Sequence, residues 1–150
     1  MRILVSACLL GINCKYSGGN NNNVGLVKDL KEKTIIPICP EQLGGLTTPR
    51  DPAEIQGRDG LDVLMGRGKV ITNKGQDVTE AFIRGAHETL KIAKLYNIDM
   101  AILKARSPSC GLDIIYDGSF TGKCKKGCGV TTALLKKHGV NVFTEDYGYK

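Results

Sequence analysis

Residues 78–103, VTEAFIRGAHETLKIAKLYNIDMAIL, contain a change of hydrophobic period that sets the fold class. Over 78–96, Phe82, Ala86, Leu90, Ala93 and Leu95 supply the apolar stripe of an amphipathic helix, and Asp77 with Glu80 forms a capping-box-like start. From Ile98 to Leu103 the pattern becomes the nearly unbroken apolar run of a buried strand. A helix feeding such a strand is the unit from which parallel sheets are built.

The same alternation recurs on both sides. Upstream, residues 2–6 read as a strand, 24–33 as a helix with Val24, Leu26, Val27 and Leu30 on its apolar side, and 34–38 as a second strand. Pro40, Gly44, Gly45, Pro49 and Pro52 then predict a long loop, a feature that tends to be functional inside compact domains. Residues 61–65 and 69–71, separated by Gly66, Arg67 and Gly68, predict a hairpin. Downstream come a loop over 104–111, a second hairpin turned at Asp117-Gly118, a helix over 130–138 ended by Gly139, and a last strand over 140–143. The expected architecture is a Rossmann-like three-layer α/β/α sandwich with a mainly parallel sheet and peripheral hairpins, formed by residues 1–150 as a single domain.

Composition narrows the class. At 41% hydrophobic and 24% charged residues the chain has the balance of a globular protein rather than a disordered one, and no apolar run approaches the roughly 20 residues of a membrane span. The apolar start is interrupted by Cys8, Gly11, Asn13 and Cys14 before it becomes a secretory signal, so a reducing cytoplasm is expected. In that setting six cysteines point to metal ligation or catalysis rather than to disulfides. The formal charge of +6, with a cluster at Lys123, Lys125 and Lys126, fits an anionic ligand or RNA, but scattered lysines ordinarily mean solvation.

Three cysteines follow three predicted strands: Cys8 after 2–6, Cys39 after 34–38, and Cys110 in the loop after Leu103. Strand ends of a parallel sheet share one edge, where ligands bind, and neighbouring strands lie about 5 Å apart. Three thiolates from that edge match a [4Fe-4S] cluster with one iron left open, whereas four would close it. The open iron is a Lewis acid able to take a soft sulfur atom. Cys14 reads as a neighbour of this set. Cys124 and Cys128 resemble half a zinc site, with His138 the nearest further ligand in sequence, or else a redox pair or two exposed thiols.

The blocks VSACLLGINCKYSGG, PICPEQLGGLTTPR, LKARSPSCG, IYDGSF and GVTTALLKKHGV together resemble the domain-of-unknown-function 523 family, which includes the two-thiouracil desulfidases. The resemblance covers nearly the whole chain. It implies a cluster held by Cys8, Cys39 and Cys110, non-redox removal of sulfur from a thiolated pyrimidine, and a dispensable Cys14. It also implies a short form of the family, without the additional domain of its larger members. Cys124 and Cys128 depart from the family pattern.

On this reading Glu41, two residues after Cys39, acts as general base toward water, Ser107 and Ser109 position the water or donate to developing charge, and Arg50 orients the substrate. Glu41 also suits a helix cap or an ion pair with Arg50, and each serine suits a turn. Asp113 and Asp117 read as turn residues, and His87 and His138 are not favoured as catalysts. The small-molecule partner is a thiolated pyrimidine, and iron–sulfur assembly machinery would load the cluster. The alternatives are a non-catalytic cluster or zinc module that senses iron, sulfide or oxygen, and an RNA-binding protein. The last lacks the interleaved aromatics of a stacking platform, and a nicotinamide enzyme lacks its glycine fingerprint.

Overall fold

The computed structural model describes residues 1–146. Its centre is a four-stranded parallel sheet ordered β2-β1-β5-β8, made of β1 (Arg2–Ser6), β2 (Thr34–Ile38), β5 (Met100–Leu103) and β8 (Asn141–Thr144). The flanking elements are a 3-10 turn (Ala7–Leu10), α1 (Val24–Asp29), α2 (Pro40–Leu43), β3 (Ala53–Gln56), α3 (Gly60–Leu64), β4 (Lys69–Thr72), α4 (Thr79–Leu95), β6 (Ile114–Tyr116), β7 (Cys124–Lys126) and α5 (Val130–Lys137).

Alternate residues of the central strands feed two cores. Leu4, Ala101 and Leu103 pack with Phe82, Ala86 and Leu90 of α4 and with Val130, Leu134 and Leu135 of α5. Ile3, Val5, Met100 and Ile102 pack on the opposite face with Leu9, Leu26 and Leu30. Burial on both faces explains the unbroken apolar runs of residues 3–5 in β1 and Met100–Leu103 in β5. The strand order reverses at β1, whose two neighbours are β2 and β5, so the carboxyl ends of these strands border the crevice of a topological switch point.

The expected sandwich and parallel sheet are present, with local corrections. Residues 61–65 are not a strand: Asp59 Oδ1 accepts from the backbone N–H groups of Leu61 (3.1 Å) and Asp62 (3.3 Å), which starts α3, and β4 pairs antiparallel with β3 instead. Asp77 is held by Thr79 rather than Glu80, accepting its backbone N–H at 2.9 Å and its hydroxyl. Leu95 falls off the α4 stripe and is 75% exposed, because the stripe ends at Ala93. Helix α1 stops at Asp29, and only Leu26 and Leu30 of its expected apolar side are buried, while Val24 and Val27 are exposed. The second hairpin pairs β6 with β7 through residues 117–123, a longer connection than a two-residue turn at Asp117-Gly118.

The expected loop after Cys39 contains α2, with Pro40 at its first position, where a missing N–H is harmless. It packs against α4 at a glycine contact: a Cβ on Gly85 would lie 1.9 Å from Pro40 O, and one on Gly44 would lie 2.0 Å from Ala81 O. Only glycine permits this approach, which fixes Glu41 relative to the long helix.

Candidate metal centre

The register Ser6↔Ile38 puts the ends of β1 and β2 at one height, and Val5↔Ile102 does the same for β5. Cys39 therefore leaves the sheet beside the 3-10 turn that carries Cys8, and the loop after β5 returns Cys110 to the same place. All three line one cavity of about 560 Å³, together with Ser6, Cys14, Glu41, Arg50, Lys104, Ser107 and Ser109. Every candidate residue read from the sequence for the site thus borders a single space.

Cys110 is buried (4% exposed) in the 104–111 loop. Helix α5 holds this loop. The N–H of Val130 donates to Pro108 O at 2.8 Å, that of Thr131 to Ser109 O at 2.9 Å, and Thr132 Oγ1 donates to Cys110 O at 2.8 Å. The unpaired amides of a helix start are in this way satisfied by the loop carrying the thiol. Ser107 Oγ accepts the Cys110 N–H at 2.7 Å, the turn role open to it from sequence, and lies 3.4 Å from Ser109 Oγ. Ser6 and Ser109 hydroxyls each donate to Cys110 Sγ at 3.5 Å. Ser6 also accepts from Lys104 N at 2.9 Å. Sequence reasoning missed Ser6, and its place at the last residue of β1, two before Cys8, is the signal that could have found it.

Cys14 shares the cavity. Its carbonyl accepts from Arg50 Nη2 at 2.9 Å, and Cys39 Sγ lies 3.8 Å from the same oxygen. Burial pushes the thiols of Cys14 and Cys110 up to about 12. Cys14 is pushed further by the charges of Cys39 and Cys8, while hydroxyls from Ser6 and Ser109 counter the shift at Cys110. Cys8 is raised by burial too, against a hydrogen bond from the Asn21 side chain. Without a metal these thiols stay protonated at neutral pH, so ligation must displace their protons.

Glu41 sits in the first turn of α2, with its Oε2 3.2 Å from Arg50 Nη2; the side chains are 19% and 7% exposed. Burial raises the carboxyl above its usual range, against the pull of Arg50 and the Ser109 hydroxyl. Arg50 also donates through Nη1 to Thr47 O (3.2 Å) and Thr48 Oγ1 (3.0 Å), which leaves Nε as its one buried donor without a partner among the described residues.

The donor set suits a cluster. Three soft thiols converge from three adjacent strand ends, with hydroxyl donors aimed at sulfur, the outer-sphere arrangement that tunes such centres. Among the described residues no group of three His, Cys, Asp or Glu side chains is gathered tightly enough to hold one ion. Cys124 is exposed on β7 and Cys128 half-buried, and neither borders the cavity. Among the described residues, no helix is long and apolar enough to cross a membrane.

Known proteins resemble the chain over nearly its whole length. The chain is 50% identical over 144 residues to the protein YbbK of Bacillus subtilis strain 168, covering 96% of this chain and 95% of that one. It is similar to a solved structure of the [4Fe-4S]-dependent thiouracil desulfidase TudS, with a TM-score of 0.86 and 44% identity over 97% of this chain and 91% of that chain. The 2-thiouracil desulfurase family model matches residues 3–147, and the chain belongs to that family.

Proposed function

We propose that the protein removes sulfur from a thiolated pyrimidine by hydrolysis, exchanging a thiocarbonyl and water for a carbonyl and hydrogen sulfide with no net redox change. The observation that carries the reading is the meeting of Cys8, Cys39 and Cys110, from three adjacent strand ends, with the half-buried Glu41 in one cavity. The three cysteines would hold a [4Fe-4S] cluster whose open iron supplies a Lewis acid for soft sulfur.

The chain's own groups do the rest. Glu41 takes a proton from the attacking water; burial raises its proton affinity toward that task, against the pull of the paired Arg50. Arg50 Nε is the atom that remains to orient a substrate carbonyl or the water. Ser109, within reach of Glu41 and Cys110, and Ser107 beside it have hydroxyls able to donate to charge developing on the ring. A reducing cytoplasm and iron–sulfur assembly machinery complete the setting in which such a centre is loaded.

Anaerobic reconstitution followed by iron and sulfide analysis, then incubation with 2-thiouracil, tests the reading. About four irons per chain and release of sulfide with formation of uracil are expected. Glu41→Gln should keep its iron and turn over roughly a hundredfold more slowly. Cluster-loaded protein that releases no sulfide from any thiolated pyrimidine would overturn the proposal.

A further inference from the structure

Beyond the thiols and Glu41, the least ordinary part of the cavity wall is the 117–123 connection between β6 and β7. Phe120 and Gly122 line the cavity beside Tyr116 at the end of β6. Phe120 has φ +58°, a left-handed conformation that a bulky side chain adopts only when its surroundings impose it.

Here the surroundings do so. Glu54 on β3, 9% exposed, accepts the backbone N–H of Gly118 at 2.9 Å and of Phe120 at 3.2 Å through the same oxygen, Oε1. Gln56 Nε2 donates to Gly118 O at 2.8 Å, and Lys125 Nζ donates to Ile55 O at 3.0 Å. A Cβ on Gly118, whose φ is +98°, would stand 2.9 Å from Ile55 O, so the connection lies directly on β3. Within it, Asp117 Oδ1 accepts the Ser119 N–H at 2.9 Å.

Two costs therefore meet at one turn: a desolvated carboxylate at Glu54 and a strained backbone at Phe120. A turn that only joined two strands would avoid both, with glycine at the strained position and a neutral residue beneath it. What the arrangement secures is a half-buried aromatic side chain in the wall of the cavity that holds the thiols. Among the described residues, three aromatics, Tyr16, Tyr116 and Phe120, border this cavity. Among the described residues bordering the cavity, Phe120 is the aromatic whose backbone is held by a buried side chain from another element.

We infer that Phe120 forms the ring-binding face of the cavity, against which a planar heteroaromatic base stacks, and that Glu54 is the positioning residue that fixes it there. The inference rests on the thiolated-pyrimidine reading and deepens it. Stacking uses the π-face of the ring and is indifferent to whether the exocyclic atom is sulfur or oxygen, so Phe120 holds substrate and product alike.

Equilibrium dialysis of anaerobically reconstituted protein against 2-thiouracil and, separately, uracil tests this, with iron per chain and thermal midpoint measured alongside. Phe120→Ala and Phe120→Leu should weaken both ligands roughly tenfold at unchanged iron content, while Phe120→Tyr stays within about twofold of the parent. Glu54→Ala should match Phe120→Ala, and the double variant should be no weaker than either. Glu54→Gln, whose amide oxygen still accepts from both N–H groups, should restore binding. In turnover KM should rise with the dissociation constant while kcat changes little. Parent-like affinity for both bases in Phe120→Ala, or in Phe120→Leu, overturns the inference. A parent protein that binds both bases but releases no sulfide sinks the desulfurisation and leaves Phe120 in place; one that binds neither base sinks both.

Discussion

Arg50 Nη2 lies 3.2 Å from Glu41 Oε2 and 2.9 Å from the carbonyl oxygen of Cys14, so one guanidinium ties the cavity's carboxylate to the loop bearing its fourth thiol. Both side chains are mostly shielded from water, which separates this contact from the exposed ion pairs such as Lys91–Glu88 that contribute little.

Removing one partner of such a pair leaves a buried charge uncompensated. Arg50→Ala should therefore destabilise the protein by about 3 kcal/mol. Arg50→Lys restores the charge but not the fork that reaches Thr47 O, Thr48 Oγ1 and Cys14 O together, so it should recover only part of the loss. Anaerobic chemical denaturation measures both. A cost for Arg50→Ala below about 0.5 kcal/mol would place this pair with the surface contacts.

The convergence of three strand ends makes a claim about ligands that single substitutions test. Cys8→Ser, Cys39→Ser and Cys110→Ser should each abolish cluster assembly on anaerobic reconstitution. Cys14→Ser should retain it although Cys14 borders the cavity, because three ligands already satisfy a centre with one open iron. Cys128→Ser should retain it because that thiol lies elsewhere. Equal iron in all five variants would dismiss the assignment.

The glycine contact between α2 and α4 predicts a coupling between packing and chemistry. Gly85→Ala puts a methyl group 1.9 Å from Pro40 O, and backbone cannot yield as a flexible side chain would. The two helices must separate, at about 1–3 kcal/mol. Because Cys39 and Glu41 flank Pro40, iron retention and sulfide release should fall together with the thermal midpoint. A variant that loses stability yet turns over like the parent would show that α2 can shift without disturbing the site.

The cysteine set was legible because it depended on strand ends, and the strands preceding Cys8, Cys39 and Cys110 are apolar runs with clear limits. Glu54 and Phe120 were not, for two physical reasons. The run Leu61–Asp62–Val63–Leu64 is too short for periodicity to separate strand from helix, and the deciding signal was the cap at Asp59. Reading it as a strand hides the true partner of β4, which is β3, and with it the surface on which the 117–123 connection rests. The left-handed backbone of Phe120 depends on a carboxylate 66 positions away in the chain, a relationship no local pattern encodes. The ion pair of Glu41 with Arg50 was foreseeable as a pair, but not its link to the Cys14 carbonyl.

Acid should reveal how α4 begins. The Asp77 carboxyl is held below its usual range, chiefly by the hydroxyl of Thr79 and then by its backbone N–H. A depressed folded-state value means that this group contributes stability above the unfolded pKa of about 3.9 and that the contribution disappears as pH falls through the folded value. At neutral pH Asp77→Ala should cost about 1 kcal/mol, the usual worth of a side chain satisfying a helix-start N–H. The difference from the parent should shrink as pH drops below about 4, falling toward the offset of a neutral acceptor once the parent's carboxyl is protonated. Asp77→Asn keeps an acceptor and does not titrate, so its offset from Asp77→Ala should be independent of pH. Denaturant midpoints of the three proteins across this range decide the matter, and a constant gap between the parent and Asp77→Ala would mean that the carboxylate's charge plays no part in starting the helix.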